Sequence, residues 1–265
     1  MKILCLGDVV GRPGRRALTK CVRGLRQKHA LNLVIANGEN ASGGLGFDAE
    51  SAREIQEAGV DLITLGDHTW QRSGIGDFLS RNKHWCVRPA NYPSGAPGSG
   101  WLVHQLGSLT IGLFNVLGRV YMTSPLDCPF RAADEILNGP LANCHIKICD
   151  AHAGATSEKV ALGRYLDGRA SLVFGTHTHV QTADEQILPG GTAFISDVGM
   201  CGARNSVIGM ATDVALARFL TGMHHSYRIG TGAAQLNGVV TTFDAKSGKA
   251  LAIERVQEIV PVEET

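Results

Sequence analysis

The stretch Ala170-Ser171-Leu172-Val173-Phe174-Gly175-Thr176-His177-Thr178-His179 predicts both the fold class and the position of a candidate site. Its apolar first half is typical of a buried strand, and two imidazoles follow where that strand ends. In open α/β sheets the ligand sites lie at the carboxyl ends of the strands, so a metal ion would be held here. Alternate residues of a strand point to opposite faces. His177 and His179 can therefore share a site only if the chain has turned into a loop, and we expect Gly175 to permit that turn.

Taken alone, the two histidines are equally typical of a polar loop, but four earlier apolar runs end in the same way. The runs and the segments after them are Lys2 to Leu6 before Gly7-Asp8-Val9-Val10-Gly11-Arg12, Leu31 to Ala36 before Asn37-Gly38-Glu39-Asn40-Ala41, Val60 to Leu65 before Gly66-Asp67-His68-Thr69-Trp70, and His145 to Cys149 before Asp150-Ala151-His152. Any one of these segments could be a helix cap or an Asx turn. Their succession predicts an α/β sheet whose strand ends converge on one site.

The residue types at these strand ends indicate a transition-metal centre. Carboxylates, an amide oxygen and imidazoles together are ligands of Fe, Mn or Zn, whereas an all-oxygen Mg or Ca site would not need three histidines. The chain also has seven cysteines, but they form no CxxC pair and several lie in apolar runs. We therefore expect the cysteines to be reduced and structural rather than metal ligands.

Six segments of the chain resemble the YmdB-like branch of the calcineurin-like metallophosphoesterases. In chain order they are GDVVGRPGR, ANGENASGG, LGDHTW, DAHAGATSEK, FGTHTHVQTAD and ISDVGMCG, and they extend over most of the 265 residues. The resemblance implies a four-layer α/β/β/α sandwich with two divalent or mixed-valence transition-metal ions per chain, Fe or Mn first and Zn as a further candidate. It also implies hydrolysis of small phosphodiesters, with 2',3'-cyclic nucleotides as the described substrate type.

By the same resemblance, the two metal ions are held by two sets of ligands that share a bridging Glu39. The sets are Asp8, Glu39, Asn40 and His179 for one ion, and Glu39, Asp67, His152 and His177 for the other. A hydroxide that bridges the metals would attack phosphorus. His68 is then left as the general acid for the departing ribose oxygen, or as a residue that orients a neighbour through a hydrogen bond. Asp150, two residues before His152, is a candidate to orient that imidazole.

Two residues depart from the family pattern. Asp67 lies where the family usually has Asn, and Gly154 lies where it usually has Glu. An ionised Asp67 adds a negative charge to the centre, which weakens its attraction for phosphate and its acidifying effect on bound water. A weakly active metal-binding regulatory protein, and a phosphomonoesterase or protein phosphatase on the same centre, therefore remain alternatives. Retention of His68 favours catalysis.

Composition and charge limit the other classes of function. With 265 residues and 44% hydrophobic content the chain can bury one large core, so residues 1–265 are predicted to form a single domain. The net charge of +1 gives no basic surface for long nucleic acid or for a membrane. The first residues lack the pattern of a signal peptide, so we expect a cytoplasmic protein, and we expect a homo-oligomer.

The segments between the motifs predict the remaining elements. Helical spacing over residues 15–29 and 48–58 gives crossover helices, which make the connected strands parallel. Three hairpins are expected, namely Trp101 to Gln105 with Thr110 to Val116, Gln186 to Leu188 with Thr192 to Ile195, and Gly238 to Phe243 with Ala250 to Val256. The poorly periodic residues 115–138 are expected to form a cap over the site or a subunit contact.

Overall fold

The computed structural model describes residues 1–262, which form strands and helices in alternation. The strands are β1 (Lys2–Val9), β2 (Leu33–Asn37), β3 (Leu62–Thr64), β4 (Cys86–Val87), β5 (Trp101–Leu106), β6 (Leu109–Leu117), β7 (Ile146–His152), β8 (Leu172–Thr176), β9 (Gln186–Ile187), β10 (Ala193–Ile195), β11 (Met200–Ala203), β12 (Ala234–Phe243) and β13 (Ala250–Val260). The helices are α1 (Gly11–His29), α2 (Ala49–Glu57), α3 (Ile75–Arg81), α4 (Pro129–Asn138), α5 (Thr156–Tyr165) and α6 (Thr212–Thr221).

The strands form two sheets, each with a parallel centre. The seven-stranded sheet has the order β13-β12-β11-β1-β2-β3-β4, and the six-stranded sheet has the order β5-β6-β7-β8-β10-β9. Strands β1 to β4 run parallel, as do β6, β7, β8 and β10. The three predicted hairpins are confirmed as the antiparallel pairs β5–β6, β9–β10 and β12–β13, the last with longer strands than expected.

The alternation of side chains along the strands creates the layers. In β7, Ile146 and Ile148 belong to the core between the two sheets, whereas Cys149 and Ala151 face α4 and α5. Strand β2 is buried along its whole length, as expected for a parallel strand covered on both faces. The predicted four-layer α/β/β/α sandwich is confirmed, with a large apolar core between the sheets.

The first two helices follow the predicted pattern. Helix α1 begins at Gly11, four residues before the predicted start, and buries residues such as Leu18 and Val22. Helix α2 is capped by Asp48, whose side chain accepts a hydrogen bond from the backbone N–H of Ser51 at 2.8 Å. The Ser51 hydroxyl in turn accepts from the backbone N–H of Asp48, so that a reciprocal capping box fixes the start of the helix.

The second half of the poorly periodic segment 115–138 forms a regular helix. Residues 129–138 form α4, whose Ala133, Ile136 and Leu137 are buried against the six-stranded sheet. Because β6 and β7 are parallel neighbours, the chain must cross over between them, and α4 is that crossover helix. Residues 129–138 therefore belong to a helix layer of the sandwich, while a cap over the site or a subunit contact by the segment 115–138 stays a prediction.

All seven cysteines are free, as expected. Burial raises the pKa of the Cys201 thiol to about 12, so it stays protonated and behaves as a small apolar side chain. Among the described residues, no helix has the length and apolar character needed to cross a membrane.

Candidate metal centre

Five strand ends from both sheets meet at one edge of the sandwich. Strands β1, β2 and β3 belong to the seven-stranded sheet, and β7 and β8 belong to the six-stranded sheet. The residues that they deliver are Asp8 from β1, Glu39 and Asn40 after β2, Asp67 and His68 after β3, His152 at the end of β7, and His177 and His179 after β8. Because parallel strands bring their carboxyl ends to the same edge, side chains more than 100 residues apart in sequence become neighbours.

Glu39, Asp67, His152 and His177 form a compact group, with one potential ligand atom from each residue within 4.8 Å of all the others. His152 Nε2 lies 2.9 Å from Asp67 Oδ1 and 3.3 Å from Glu39 Oε1. His177 Nδ1 lies 3.2 Å from the same Asp67 oxygen. Two carboxylate oxygens and two imidazole nitrogens therefore face one point, which is the donor set of a transition-metal site.

A second group lies beside the first and shares Glu39 with it. His179 Nε2 lies 3.8 Å from Asp8 Oδ1 and 3.3 Å from Asn40 Nδ2. The Asn40 amide nitrogen also donates to Glu39 Oε1 at 2.9 Å, and a half-turn of the amide would present its oxygen there instead. Asp8 Oδ1 is buried and has no hydrogen-bond partner among the described residues. A buried carboxylate oxygen without a partner is costly unless a cation neutralises it, so this group also fits a metal ion.

Hydrogen bonds on the far sides of two rings fix which nitrogen faces the centre. His152 Nδ1 lies 2.8 Å from Thr176 Oγ1, and the Thr176 hydroxyl donates to Asp150 Oδ1 at 2.6 Å. His179 Nδ1 lies 2.8 Å from the carbonyl oxygen of Ile208. In both rings Nδ1 carries the proton that makes this contact, so Nε2 is the nitrogen that would offer its lone pair to a bound metal ion.

Asp150 thus acts on His152 through Thr176 and does not contact the ring directly. The Asp150 carboxylate also accepts hydrogen bonds from Asn37 and Thr64. Burial raises the pKa of Asp150 to about 6, against the lowering effect of the His152 charge and of these donors. The sequence pointed to Asp150, but it gave no role to Thr176 and no signal for Ile208, because Ile208 contributes only a backbone carbonyl.

The turn that brings both histidines to one site is not made at Gly175. This glycine lies inside β8, and the left-handed backbone falls on His177 (φ 91°) and His179 (φ 66°) instead. Gly175 is needed for a different reason, because a Cβ there would lie 1.7 Å from the carbonyl oxygen of Ser196. The expected loop is present, but the prediction that Gly175 permits it is wrong.

Asp197 holds this left-handed loop in place. Its Oδ2 accepts hydrogen bonds from the Thr178 backbone N–H at 3.0 Å and the Thr178 hydroxyl at 2.6 Å. The same oxygen lies 2.7 Å from Lys159 Nζ, and both charged side chains are buried. A buried ion pair is stable only in a well-defined geometry, so Lys159 holds Asp197 in one position. Through its two hydrogen bonds, Asp197 in turn holds Thr178 between His177 and His179. Asp197 lies in the segment ISDVGMCG, to which the sequence assigned no role.

Gly66 provides the space for the compact group. A Cβ at this position would lie 2.3 Å from Glu39 Oε2 and 2.4 Å from His152 Nε2. Any side chain at Gly66 would therefore displace two of the ligand candidates. The LGDHTW segment by itself gives no reason for a glycine at this position.

His68 lies beside the two groups without belonging to the compact one. Its Nδ1 is 3.0 Å from Asn40 Oδ1 and 3.3 Å from Glu39 Oε1. Its Nε2 is 3.8 Å from Asp67 Oδ2, and the side chain is 28% exposed. Burial lowers the pKa of His68, but the hydrogen bond and charge of Glu39 outweigh it and raise the pKa overall. In the metal-free protein this upward shift favours the protonated ring, which is the form that can donate a proton.

The charges of the centre are strongly coupled. Burial works against ionisation of Glu39 and of Asp67, but the nearby histidines lower the pKa of both carboxyl groups far below the usual range. Burial also works against a charged His152, yet Glu39 and Asp67 raise its pKa well above normal. Without metal, these shifts favour ionised Glu39 and Asp67 beside a protonated His152, and metal binding would displace the His152 proton.

Asp67 and Gly154, the two positions expected to depart from the family pattern, lie close to His177. Asp67 offers one oxygen to the compact group and is 24% exposed. A Cβ at Gly154 would lie 3.8 Å from His177 Nε2 and meet no closer atom than the Val120 carbonyl oxygen at 3.5 Å. Position 154 therefore has room for a side chain. Because it holds glycine, residue 154 gives the His177 ring no side-chain contact.

A cavity of about 700 Å³ opens from the centre, with Glu39, His68, His177 and His179 in its wall. This volume is in the range of sites that hold small organic ligands. The rest of the wall comes from Asn40 and from residues 44–45 and 207–227, most of them apolar.

Known proteins with similar sequence and structure identify the family. A model of the family described as YmdB-like protein matches residues 4–256. The chain is 43% identical over 256 residues to 2',3'-cyclic-nucleotide 2'-phosphodiesterase of Bacillus subtilis (strain 168), with 97% of this chain and 96% of that protein covered. A hypothetical protein from Thermus thermophilus has a TM-score of 0.92 at 42% identity, covering 98% of this chain and all (100%) of that one. A phosphatase from Mycoplasma pneumoniae has a TM-score of 0.92 at 34% identity, covering 99% of this chain and 94% of that one. The chain therefore belongs to the YmdB-like family of phosphoesterases.

Proposed function

We propose that the protein is a dinuclear-metal phosphodiesterase that hydrolyses small phosphodiesters, with 2',3'-cyclic nucleotides as its substrates. Membership of the family supports the enzyme class, and the Bacillus subtilis relative supports the substrate. The observation that carries the proposal is the pair of adjoining ligand groups that share Glu39, one of which includes an unpartnered buried carboxylate oxygen on Asp8. Fe or Mn are the proposed metals, with Zn as the alternative.

The ligand candidates and His68 would have different roles in hydrolysis. Two metal ions held by these groups would supply a hydroxide nucleophile and neutralise charge on the phosphate oxygens. The remaining requirement is a proton for the leaving oxygen. His68 turns Nδ1 toward Asn40 and Glu39, so Nε2 is the nitrogen that can deliver a proton into the cavity. We therefore propose His68 as the general acid.

Two alternatives remain, each with an observation in its favour. The Mycoplasma pneumoniae relative is described as a phosphatase, which favours a phosphomonoesterase on the same centre. The additional charge of Asp67 favours a weakly active metal-binding regulatory protein, because a more neutral centre attracts phosphate less. We also propose a homo-oligomer, which sedimentation of the purified protein would test.

The test combines metal analysis with turnover. Purified protein should contain close to two transition-metal ions per chain, and His177→Ala and His179→Ala should each lose at least one. His84→Ala, which changes an exposed histidine away from the centre, is the matched control and should keep both. The metal-loaded enzyme should hydrolyse 2',3'-cAMP faster than 3',5'-cAMP and faster than p-nitrophenyl phosphate.

Each alternative has its own signature in this experiment. Preference for p-nitrophenyl phosphate would replace the diesterase with the phosphomonoesterase. Full metal content without turnover of any substrate would favour the regulatory protein. A metal content that stays the same in His177→Ala, His179→Ala and His84→Ala would contradict the ligand assignment.

A further inference from the structure

The cavity at the metal centre continues onto a mainly apolar wall that the proposed chemistry does not use. This wall consists of side chains from the segment between β11 and β12, together with one residue that follows the β2 loop. Its apolar and aromatic members are Leu45, Val207, Ile208, Met210, Phe219, Met223 and Tyr227. Hydrolysis of a phosphodiester needs no such surface, so the wall indicates a second group on the substrate.

We infer that this wall is the subsite for the nucleobase of the substrate, an inference that rests on the proposed function. A cyclic nucleotide carries its base on the same ribose as the reacting phosphate, so the base must lie within one sugar of the metal centre. The wall and the centre share a single cavity of about 700 Å³. Aromatic and apolar side chains are the surface on which proteins stack bases.

Phe219 is the aromatic side chain of the wall that is most available for stacking. It lies on α6, it is 82% exposed, and it lines the cavity. Its neighbour Leu220 is exposed to the same extent, 83%, but does not line the cavity. A stacked base would remove one face of the Phe219 ring from water, which is favourable for an aromatic surface of this size.

The wall is also fixed relative to the ligand candidates. The Tyr227 ring packs against the backbone of Gly44, where a Cβ would lie 2.4 Å from Tyr227 Cε1. Gly44 lies four residues after Asn40, and its φ of +85° favours glycine. On the other side, the Ile208 carbonyl oxygen holds His179 Nδ1 at 2.8 Å. Both ends of the wall are thus tied to loops that carry ligand candidates, so a base placed on it has a defined distance from the phosphate.

The chemistry of the wall also predicts its selectivity. Outside the centre, the polar side chains around the cavity are those of Arg218, His224 and Tyr227. Stacking on apolar and aromatic surfaces accepts every base, whereas discrimination needs several buried hydrogen-bond partners. The four 2',3'-cyclic mononucleotides should therefore be hydrolysed with kcat/KM values within about tenfold of each other.

The test compares a substrate that has a base with one that lacks it. The probes are 2',3'-cAMP and 1-O-methylribose 2',3'-cyclic phosphate, which presents the same reacting ring to the metal centre. For Phe219→Ala we expect kcat/KM on 2',3'-cAMP to fall by about 5- to 150-fold, mainly through KM, the range of one lost stacking contact. Turnover of the base-free probe should not change. Phe219→Trp should restore activity on the nucleotide, and Leu220→Ala is the matched control that should behave as the wild-type protein.

The outcomes separate this inference from the proposed function. If wild-type protein hydrolyses neither probe, the proposed function fails. If it hydrolyses both and Phe219→Ala changes neither value, the proposed function stands and the base subsite is wrong. Equal loss on both probes would also overturn the subsite, because Phe219 would then support the metal centre rather than the base. Met223→Ala tests the same wall a second time. It should lower kcat/KM on 2',3'-cAMP by less than Phe219→Ala does, and it should leave turnover of the base-free probe unchanged.

Discussion

Replacement of Thr176 by valine should weaken the metal centre without touching any ligand candidate. The Thr176 hydroxyl contacts His152 Nδ1 at 2.8 Å and donates to Asp150 Oδ1 at 2.6 Å. Valine has nearly the same shape, so the change removes these two contacts and leaves the packing of β8 intact. His152 then loses the partner that fixes its tautomer and its ring orientation.

The size of the effect follows from what each partner loses. Loss of an oriented partner on a ligating histidine typically costs 10- to 100-fold in metal affinity, and we expect a loss of roughly that size here. The buried Asp150 carboxylate also loses one of its hydrogen-bond donors. A hydrogen bond to a charged group contributes about 1.5–3 kcal/mol to the free energy of unfolding. Asp150 keeps its donors from Asn37 and Thr64, so the fold itself should survive.

Thr64→Val is the matched control for this experiment. Thr64 donates to the other oxygen of Asp150 and makes no hydrogen bond with His152. Both variants should therefore lower the free energy of unfolding of the metal-free protein by similar amounts, measured by urea denaturation. Only Thr176→Val should lower metal affinity, measured by the metal content of protein equilibrated at a series of buffered Mn²⁺ concentrations.

Two results would refute this reasoning. Equal metal affinity in Thr176→Val and wild-type protein would show that His152 does not depend on the hydroxyl for its orientation. Equal weakening of metal binding in both variants would show that the effect passes through the stability of Asp150 rather than through the His152 ring.

Three further predictions address the acid, the charge of the centre and the response to pH. His68→Ala should lower turnover of 2',3'-cAMP by roughly 10²–10⁴ with metal content unchanged, and it should lower turnover of a nitrophenyl diester less, because that leaving group needs no proton; an equal loss on both substrates would remove His68 as the acid. Asp67→Asn should keep the metals and raise diesterase activity with divalent ions, since one negative charge is removed; equal or lower activity across Mn, Fe and Zn would contradict the charge argument. Burial of Asp184 works against a low pKa, but hydrogen bonds from Ser196 and Thr182 lower the pKa overall, so its stabilising effect is present above the ordinary pKa of about 4 and is lost as pH falls through the lower folded value. Asp184→Asn should therefore be less stable than wild-type protein at pH 7, with a difference that shrinks toward pH 2; a difference independent of pH would contradict this assignment.

The layered fold could be predicted because each of its elements depends on short-range pattern. Apolar runs that end in polar residues gave β1, β2, β3, β7 and β8, and short turn sequences gave all three hairpins. Local pattern does not predict helix α4, because its few apolar positions directly follow irregular residues. Its place is fixed by the need to connect parallel β6 to β7, which is a property of the sheet rather than of the segment.

The contacts that hold the ligand candidates in position could not be predicted, because each contact joins residues that are distant in sequence. Gly175 and Gly66 are visible as glycines in the sequence, but their neighbours, the Ser196 carbonyl and the Glu39 carboxylate, come from loops that follow other strands. The Asp197 and Lys159 pair is separated by 38 residues and becomes significant only where it meets the loop between His177 and His179. No local pattern encodes such a contact.

The sequence by itself thus determined which ligand types the candidate site contains, since a ligand type is a property of each side chain, and the order of strand ends is a property of local pattern. Tertiary structure alone decided which nitrogen of each imidazole faces the centre and where the chain turns between His177 and His179. It also decided that an apolar wall from residues 207–227 lies beside the centre. The physical reason is that ring orientation, backbone strain and cavity shape depend on atoms contributed by both sheets, which come together only when the sandwich closes.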